Sequence, residues 1–260
     1  MQIEVCASSL TSVFHAAQAG ADRVELCTEL SLGGLTPSYG FVKQALLLKL
    51  PLHVLIRPRS GHFTYSENEI NVMYEDILQF KTMGCAGVVV GLLNEKYELA
   101  NKALEKMKRL AGSMQITFHR AIDLVRNPEE SLEALVDIGF ARVLSSGQQI
   151  NALKGIELLS NMQEWSRGRI AIMPGGGINL ENCLYFKQAG FQHLHFSGFK
   201  EIKQEKYPTH LKENFSFLEQ RFGHSDKTML KKIIDKIKED NFDQDFFSAI
   251  KLCKKKRIGP

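Results

Sequence analysis

Two short segments, Glu4-Val5-Cys6 and Glu25-Leu26-Cys27, repeat one arrangement, an acid and a thiol two residues apart. In an extended strand residues two apart share a face, so each carboxylate lies below its thiol while Val5 and Leu26 turn the other way. The same alternation sets Arg57 with Leu55, Thr117 with His119, and His195 opposite Leu194 and Phe196. Acids and imidazoles gathered on one face are the equipment of proton transfer, and any metal role must use thiols that the fold brings together. Buried charges are costly unless paired, which predicts that Glu4 or Glu25 balances Arg57. Glu4, Glu25, Arg57, His119 and His195 are therefore the candidate catalytic residues. The competing reading is a set of ion pairs that only tunes packing, and either histidine taken alone fits a satisfied core residue equally well.

Other segments suit an anion. Pro174-Gly175-Gly176-Gly177 precedes a helical stretch, so its amides can converge on a negative group. Ser145-Ser146-Gly147 and Ser197-Gly198 add small donors, although tight turns that need glycine explain them too. Arg57-Pro58-Arg59-Ser60-Gly61-His62-Phe63, with Tyr65-Ser66 beyond, reads as a mobile basic lid. The candidate anion-binding residues are Arg59, Ser145, Ser146, Gly175, Gly176, Gly177 and Ser197. No H-E-x-x-H or G-x-S-x-G occurs, and no strand end offers a lysine placed for a Schiff base.

Positioning these residues takes a regular scaffold. Short β-branched runs near 3–6, 23–27, 52–57, 87–91, 115–119, 141–144, 169–173 and 193–196 alternate with helical stretches near 9–19, 38–48, 67–83, 95–111, 128–138, 150–164 and 180–189. Strands joined by crossover helices make a parallel sheet, and eight such units over this length predict an α/β protein, a (β/α)8 TIM barrel. No G-x-G-x-x-G follows the first strand, which argues against a dinucleotide-binding sheet. In a barrel the polar faces above line the lumen, with Cys6 and Cys27 at the C-terminal rim. From residue 201 to 260 the expectation is a C-terminal extension packed on the barrel of residues 1–200. It comprises an irregular stretch over 200–223, helices near 228–239 and 244–252, and a basic end.

Composition narrows the class. The chain has 260 residues, 44% of them hydrophobic, enough for one large barrel or two modest domains of a soluble, globular kind, and length alone does not choose. Its net charge of +4 resides after residue 199, where 15 Lys and Arg face 10 Asp and Glu. Lys254-Lys255-Lys256-Arg257 reads as a solvated, frayed end, and no basic track suggests nucleic acid. No apolar run approaches the roughly 20 residues of a membrane span. Met1-Gln2-Ile3-Glu4 lacks a signal-peptide layout, so the expected setting is cytoplasmic. The five cysteines, Cys6, Cys27, Cys85, Cys183 and Cys253, are widely spaced and odd in number, which favours free thiols; the last three read as structural or incidental.

Glu4-Val5-Cys6-Ala7-Ser8-Ser9-Leu10, Gly20-Ala21-Asp22-Arg23-Val24-Glu25-Leu26-Cys27, Gly33-Gly34-Leu35-Thr36-Pro37-Ser38, Ile56-Arg57-Pro58-Arg59, Thr117-Phe118-His119-Arg120-Ala121, Ser145-Ser146-Gly147 and Met173-Pro174-Gly175-Gly176-Gly177 occur in that order. This series resembles the successive blocks of the CutC family. The resemblance implies a TIM barrel, cytoplasmic and homo-oligomeric, that serves copper homeostasis and binds copper(I) through paired cysteines, here Cys6 and Cys27. Adjacent strands lie about 4.8 Å apart, which lets two rim thiolates approach a soft monovalent metal. The last strand, His193-Leu194-His195-Phe196, and the lysine-rich continuation are less like the family. The polar lumen supports a second expectation, an enzyme acting on a small phosphate- or carboxylate-bearing substrate, in which Arg57 and the glycine loop hold the anion and His119, His195 or a glutamate moves a proton. The expected partner is a metal ion or a small anionic ligand, with neither nucleic acid nor membrane.

Overall fold

The computed structural model describes residues 1–202 and 223–239. The strands are β1 (Gln2–Ala7), β2 (Arg23–Leu26), β3 (Leu52–Leu55), β4 (Gly87–Val90), β5 (Gln115–Phe118), β6 (Arg142–Ser145), β7 (Ala171–Pro174) and β8 (His193–Phe196). All neighbouring pairs are parallel, in the order β7-β6-β5-β4-β3-β2-β1-β8. A parallel bridge between Gly175 and His195 links the two ends of this row and brings it round into a barrel.

Helices α1 (Leu10–Ala19), α2 (Tyr39–Leu46), α3 (Glu67–Thr82), α4 (Asn101–Ala111), α5 (Pro128–Ile138), α6 (Ile156–Ser166) and α7 (Cys183–Gln188) follow the first seven strands. Their ends are written locally. Ser66 and Glu69 form a reciprocal capping box at the start of α3, and Asn127 caps α5 ahead of Pro128. Three helices begin later than the hydrophobic period suggests, for one reason. Asn94 accepts from the Lys96 and Glu98 amides, Asn151 from Lys154, and Asn179 from Glu181 and Asn182. These asparagine turns compete with the helical backbone and hold off α4, α6 and α7.

After β8 the chain forms β9 (Phe199–Glu201), antiparallel to β10 (Gly223–Ser225), and then α8 (Lys227–Lys238). Leu230, Ile233, Ile234 and Ile237 bury one face of α8 against α1 and α7. Lys236 Nζ donates to the Leu180 carbonyl and Lys238 Nζ to that of Gly20. The helix expected as part of an extension thus takes the eighth place in the helical ring. The expected helix over 244–252, most of the irregular stretch and the basic end lie outside the described residues.

Strand alternation separates two interiors. Ile3, Val5, Val24, Leu26, Val54 and Ile56 belong to the apolar layer between strands and helices. On the opposite face Cys6, Cys27, Leu55 and Val89 form a small separate cluster inside the barrel, among buried polar groups. That polar lumen positions the site. No helix among the described residues is long and apolar enough to cross a membrane.

Candidate functional site

The lower lumen is a scaffold of arginines. Arg23 Nε meets Glu4 Oε2 at 2.5 Å, while its other nitrogens reach Gln2 Oε1 at 2.8 Å and Met173 Sδ at 3.2 Å. Arg142 donates to Gln115 Oε1 at 2.7 Å, His53 Nδ1 at 3.1 Å and Thr117 Oγ1 at 3.3 Å. Burial lowers His53 to about 4 and Arg142 to about 10.

Glu4 and Glu25 do not balance Arg57, contrary to the expectation. Strand β3 ends at Leu55, and Arg57 two residues on is captured by loop carbonyls: Nη1 donates to Leu32 and Gly34 at 2.8 Å, and Nη2 to Gly61 at 2.9 Å. Its guanidinium carbon lies 5.2 Å from the centre of the Phe63 ring. The cation of Glu4 is Arg23, which shares the lumenal face with Glu25 by the same two-residue rule. Arg23, His53 and Arg142 were all legible by that rule and lie outside the expected set.

Above the scaffold, Glu4 Oε1 meets His195 Nδ1 at 2.8 Å, and His195 Nε2 lies 3.4 Å from Glu25 Oε2. Burial works against the Glu4 charge, but the His195 hydrogen bond and the Arg23 and His195 charges outweigh it and hold the carboxyl well below the usual range. For His195 too burial is the largest single influence and favours the neutral ring; Glu4 and Glu25 together overcome it and raise the pKa. Glu25 is pushed up by burial. The three groups form a chain along which a proton can be held or passed.

Cys6 Sγ stands 3.7 Å from Cys27 Sγ, and both cysteines are buried. The Cys27 contact, then burial and the Glu25 charge, push the Cys6 thiol well above its ordinary range. One ligand atom each from Cys6, Glu25 and His195 lie within 4.8 Å of one another. Three such donors can hold a metal ion. Cys85 and Cys183 are buried away from the lumen.

On the far side His119 accepts the Ala121 N–H on Nδ1 at 3.1 Å, which fixes the ring proton on Nε2. That Nε2 is buried and has no hydrogen-bond partner among the described residues. Burial and the Arg57 charge lower His119 to about 3, so the ring is neutral across the physiological range. The ring rests on Gly91, where a Cβ would come within 2.2 Å of it.

The expected anion donors divide. Ser145 and Ser146 are already engaged by a protein carboxylate: Asp123 accepts from Ser145 Oγ at 2.6 Å, from the Ser146 hydroxyl at 2.9 Å and from its amide at 3.1 Å, with Arg120 Nε alongside at 2.9 Å. Arg59 is spent on Glu69 at 2.5 Å and on the Ser60, His62 and Thr64 carbonyls, so the segment expected as a mobile lid is tied down by its own arginines. Gly176, Gly177 and Ser197, by contrast, line a pocket of about 280 Å³ together with Cys6, Glu25, Arg57, Phe63, His119, Arg120 and His195. Gly175 lies just beneath, bridged to His195. Among the described residues, the amides of Gly176 and Gly177 enter no hydrogen bond. Arg120 and Asp123 were missed because they belong to a short 3-10 turn, Arg120–Leu124, that carries no strand or helix period.

Fold and site together define a parallel eight-stranded α/β barrel with a small polar pocket at the C-terminal ends of its strands, the end at which barrels of this class carry their active sites. The CutC family model matches residues 1–200, and the chain belongs to the CutC family. It is 42% identical over 81% of its length to a CutC family protein of Pasteurella multocida, covering 86% of that relative, and 45% identical over 76% to one of Sodalis glossinidius, covering 78%. A Streptococcus agalactiae CutC, assigned to copper homeostasis by name, superposes with a TM-score of 0.72 at 32% identity, over 76% of this chain and 98% of that one.

Proposed function

We propose that the protein serves copper homeostasis by binding Cu(I) at the rim through Cys6 and Cys27. The observation that carries this reading is the 3.7 Å approach of the two Sγ atoms beside Glu25 and His195. Cu(I) is soft, prefers few ligands and favours thiolate sulfur. Both thiols must give up protons on binding, so affinity rises with pH. His195 can add a nitrogen: with Nδ1–H held by Glu4, its Nε2 is the atom free to ligate once deprotonated, and Glu4 acts as the orienting carboxylate behind the ligand. Free thiols working in this way suit a reducing compartment, in keeping with the expected cytoplasmic setting.

The test is anaerobic competition against bathocuproine disulfonate under reducing conditions. The parent should retain about one Cu(I) per chain, and Cys6→Ser, Cys27→Ser should lose it by tenfold or more. A double variant that competes as well as the parent would overturn the reading.

A further inference from the structure

We infer that the same pocket is an acid–base site for a small carbonyl compound carrying an oxyanion group, in which His119 Nε2–H hydrogen-bonds the carbonyl oxygen and Glu25 takes a proton from the adjacent carbon. This inference shares Glu25 with the copper site and does not rest on it.

The argument starts from the ring proton. A paired thiol site for a metal has no need of a neutral imidazole on the opposite wall. Yet the Ala121 N–H fixes the His119 tautomer, Gly91 makes room for the ring, and Nε2–H is left buried without an acceptor among the described residues. An unmet buried donor is costly, and it is met when a ligand brings an acceptor oxygen. A neutral imidazole polarises a carbonyl by hydrogen bonding without giving up its proton.

The base lies in the same pocket. Glu25 is buried, lines the pocket together with His119, and carries its Oε2 3.4 Å from His195 Nε2. The oxyanion has its own donors. Gly176 and Gly177 have positive φ, their amides are unengaged among the described residues, and a Cβ on Gly176 would lie 3.5 Å from Arg120 Nη1, the nitrogen of that arginine not used by Asp123 or Ser146. An L side chain at 176 or 177 would be strained and would crowd that approach.

The step balances without a co-reactant. The C–H bond beside the carbonyl breaks and its proton forms an O–H bond on Glu25. The electron pair becomes the C=C bond of an enolate, and the carbonyl π pair moves to the oxygen held by His119. When the Glu25 O–H trades its proton with solvent before returning it to the same carbon, the result is exchange; when the deprotonated carbon carries a hydroxyl, transfer of that hydroxyl proton to the oxygen held by His119 and return of the Glu25 proton to the former carbonyl carbon gives isomerisation.

The experiment follows α-proton exchange by proton NMR in deuterated buffer near pH 7, with bathocuproine disulfonate and EDTA present so that copper binding plays no part. The probes are pyruvate, 2-oxobutyrate and dihydroxyacetone phosphate; exchange confined to the first two assigns the oxyanion as carboxylate, and exchange confined to the third as phosphate. The expected result is protein-dependent exchange of at least one probe, slowed about 100-fold or more in Glu25→Gln and in His119→Gln. As a second readout independent of variant folding, nitrogen-15 spectra of the parent should show His119 as the Nε2–H tautomer from about pH 5 to 8, with its resonance shifted by the active probe. Absence of exchange for all three probes, full exchange in folded Glu25→Gln, or an Nδ1–H tautomer at His119 would overturn the inference and leave the copper reading to its own titration.

Discussion

Replacing Glu4 by Gln removes one charge from the centre of the barrel and exposes how much the lumen depends on it. Glu4 is fully buried and serves two cations, Arg23 through Oε2 at 2.5 Å and His195 through Oε1 at 2.8 Å. Breaking a buried ion pair from one side costs about 3–5 kcal/mol, because the remaining charge is left uncompensated. Glutamine keeps the volume and one acceptor for Arg23, which returns about 1 kcal/mol, while its NH2 faces His195 Nδ1 and forces that ring to become neutral. The net loss is about 2–4 kcal/mol, a large share of a domain stability of roughly 5–15 kcal/mol. Its pH dependence is specific. Glu4 is held below its ordinary value of 4.5, so its contribution is present above that pH and fades as pH falls toward the folded value. His195 is raised above 6.5, so its contribution is present below that pH and fades as pH rises through the folded value. The stability difference between parent and variant is therefore largest between 4.5 and 6.5 and smaller on both sides. Urea unfolding across that range, with the His195 ring titrated by NMR, measures both parts. A difference that does not vary with pH, or one below about 1 kcal/mol, would refute the reasoning.

Two further outcomes follow from the same lumen. His53, His119 and His193 are lowered to about 4, 3 and 4, so the unfolded chain binds more protons and stability present above 6.5 is lost as pH falls. The slope should reach about 3–4 kcal/mol per pH unit near pH 5, and His53→Gln should cut it by about a third; equilibrium unfolding that shows uptake of fewer than about two protons there counts against buried neutral histidines. Gly91→Ala would set a methyl 2.4 Å from His119 Nδ1, displacing the ring from the Ala121 amide. A loss of about 1–3 kcal/mol together with a mixed His119 tautomer is expected, and an unchanged ring spectrum would show that the ring does not depend on that cleft.

The barrel was legible because strand parity recurs in eight short runs with seven helical stretches between them, each unit being readable without the others. Parity also put Glu4, Cys6, Glu25, Cys27, His119 and His195 on the lumenal face, since which way a side chain points is a local property. Pairing is not local. Arg57 and Arg23 are both two residues from a lumenal position, and only the end of β3 at Leu55 and the carbonyls of the next loop decide that Arg57 turns away and Arg23 meets Glu4. Asp123 shows the same limit from the other side. The Ser145-Ser146 donors have the right chemistry for a ligand anion, but a carboxylate 22 residues earlier in the chain reaches them first.

The two proposed uses of the pocket meet at Glu25 and His195, and proton placement sets them against each other. As an acid–base pair, His195 holds a proton on Nε2 facing Glu25, and the Cys6 thiol stays protonated because Cys27, burial and the Glu25 charge all work against its thiolate. As a metal site, Nε2 and the thiols must all be bare, and the cation takes the place of the shared proton. Glu4 is common to both states, since its bond to Nδ1 orients the ring whichever partner Nε2 has. Occupation by Cu(I) would therefore remove the Nε2 proton that faces Glu25. On both readings one fully buried carboxylate, Glu4, orients the ring, and such a use would give the barrel a physical reason to maintain a charged layer where apolar packing would be more stable.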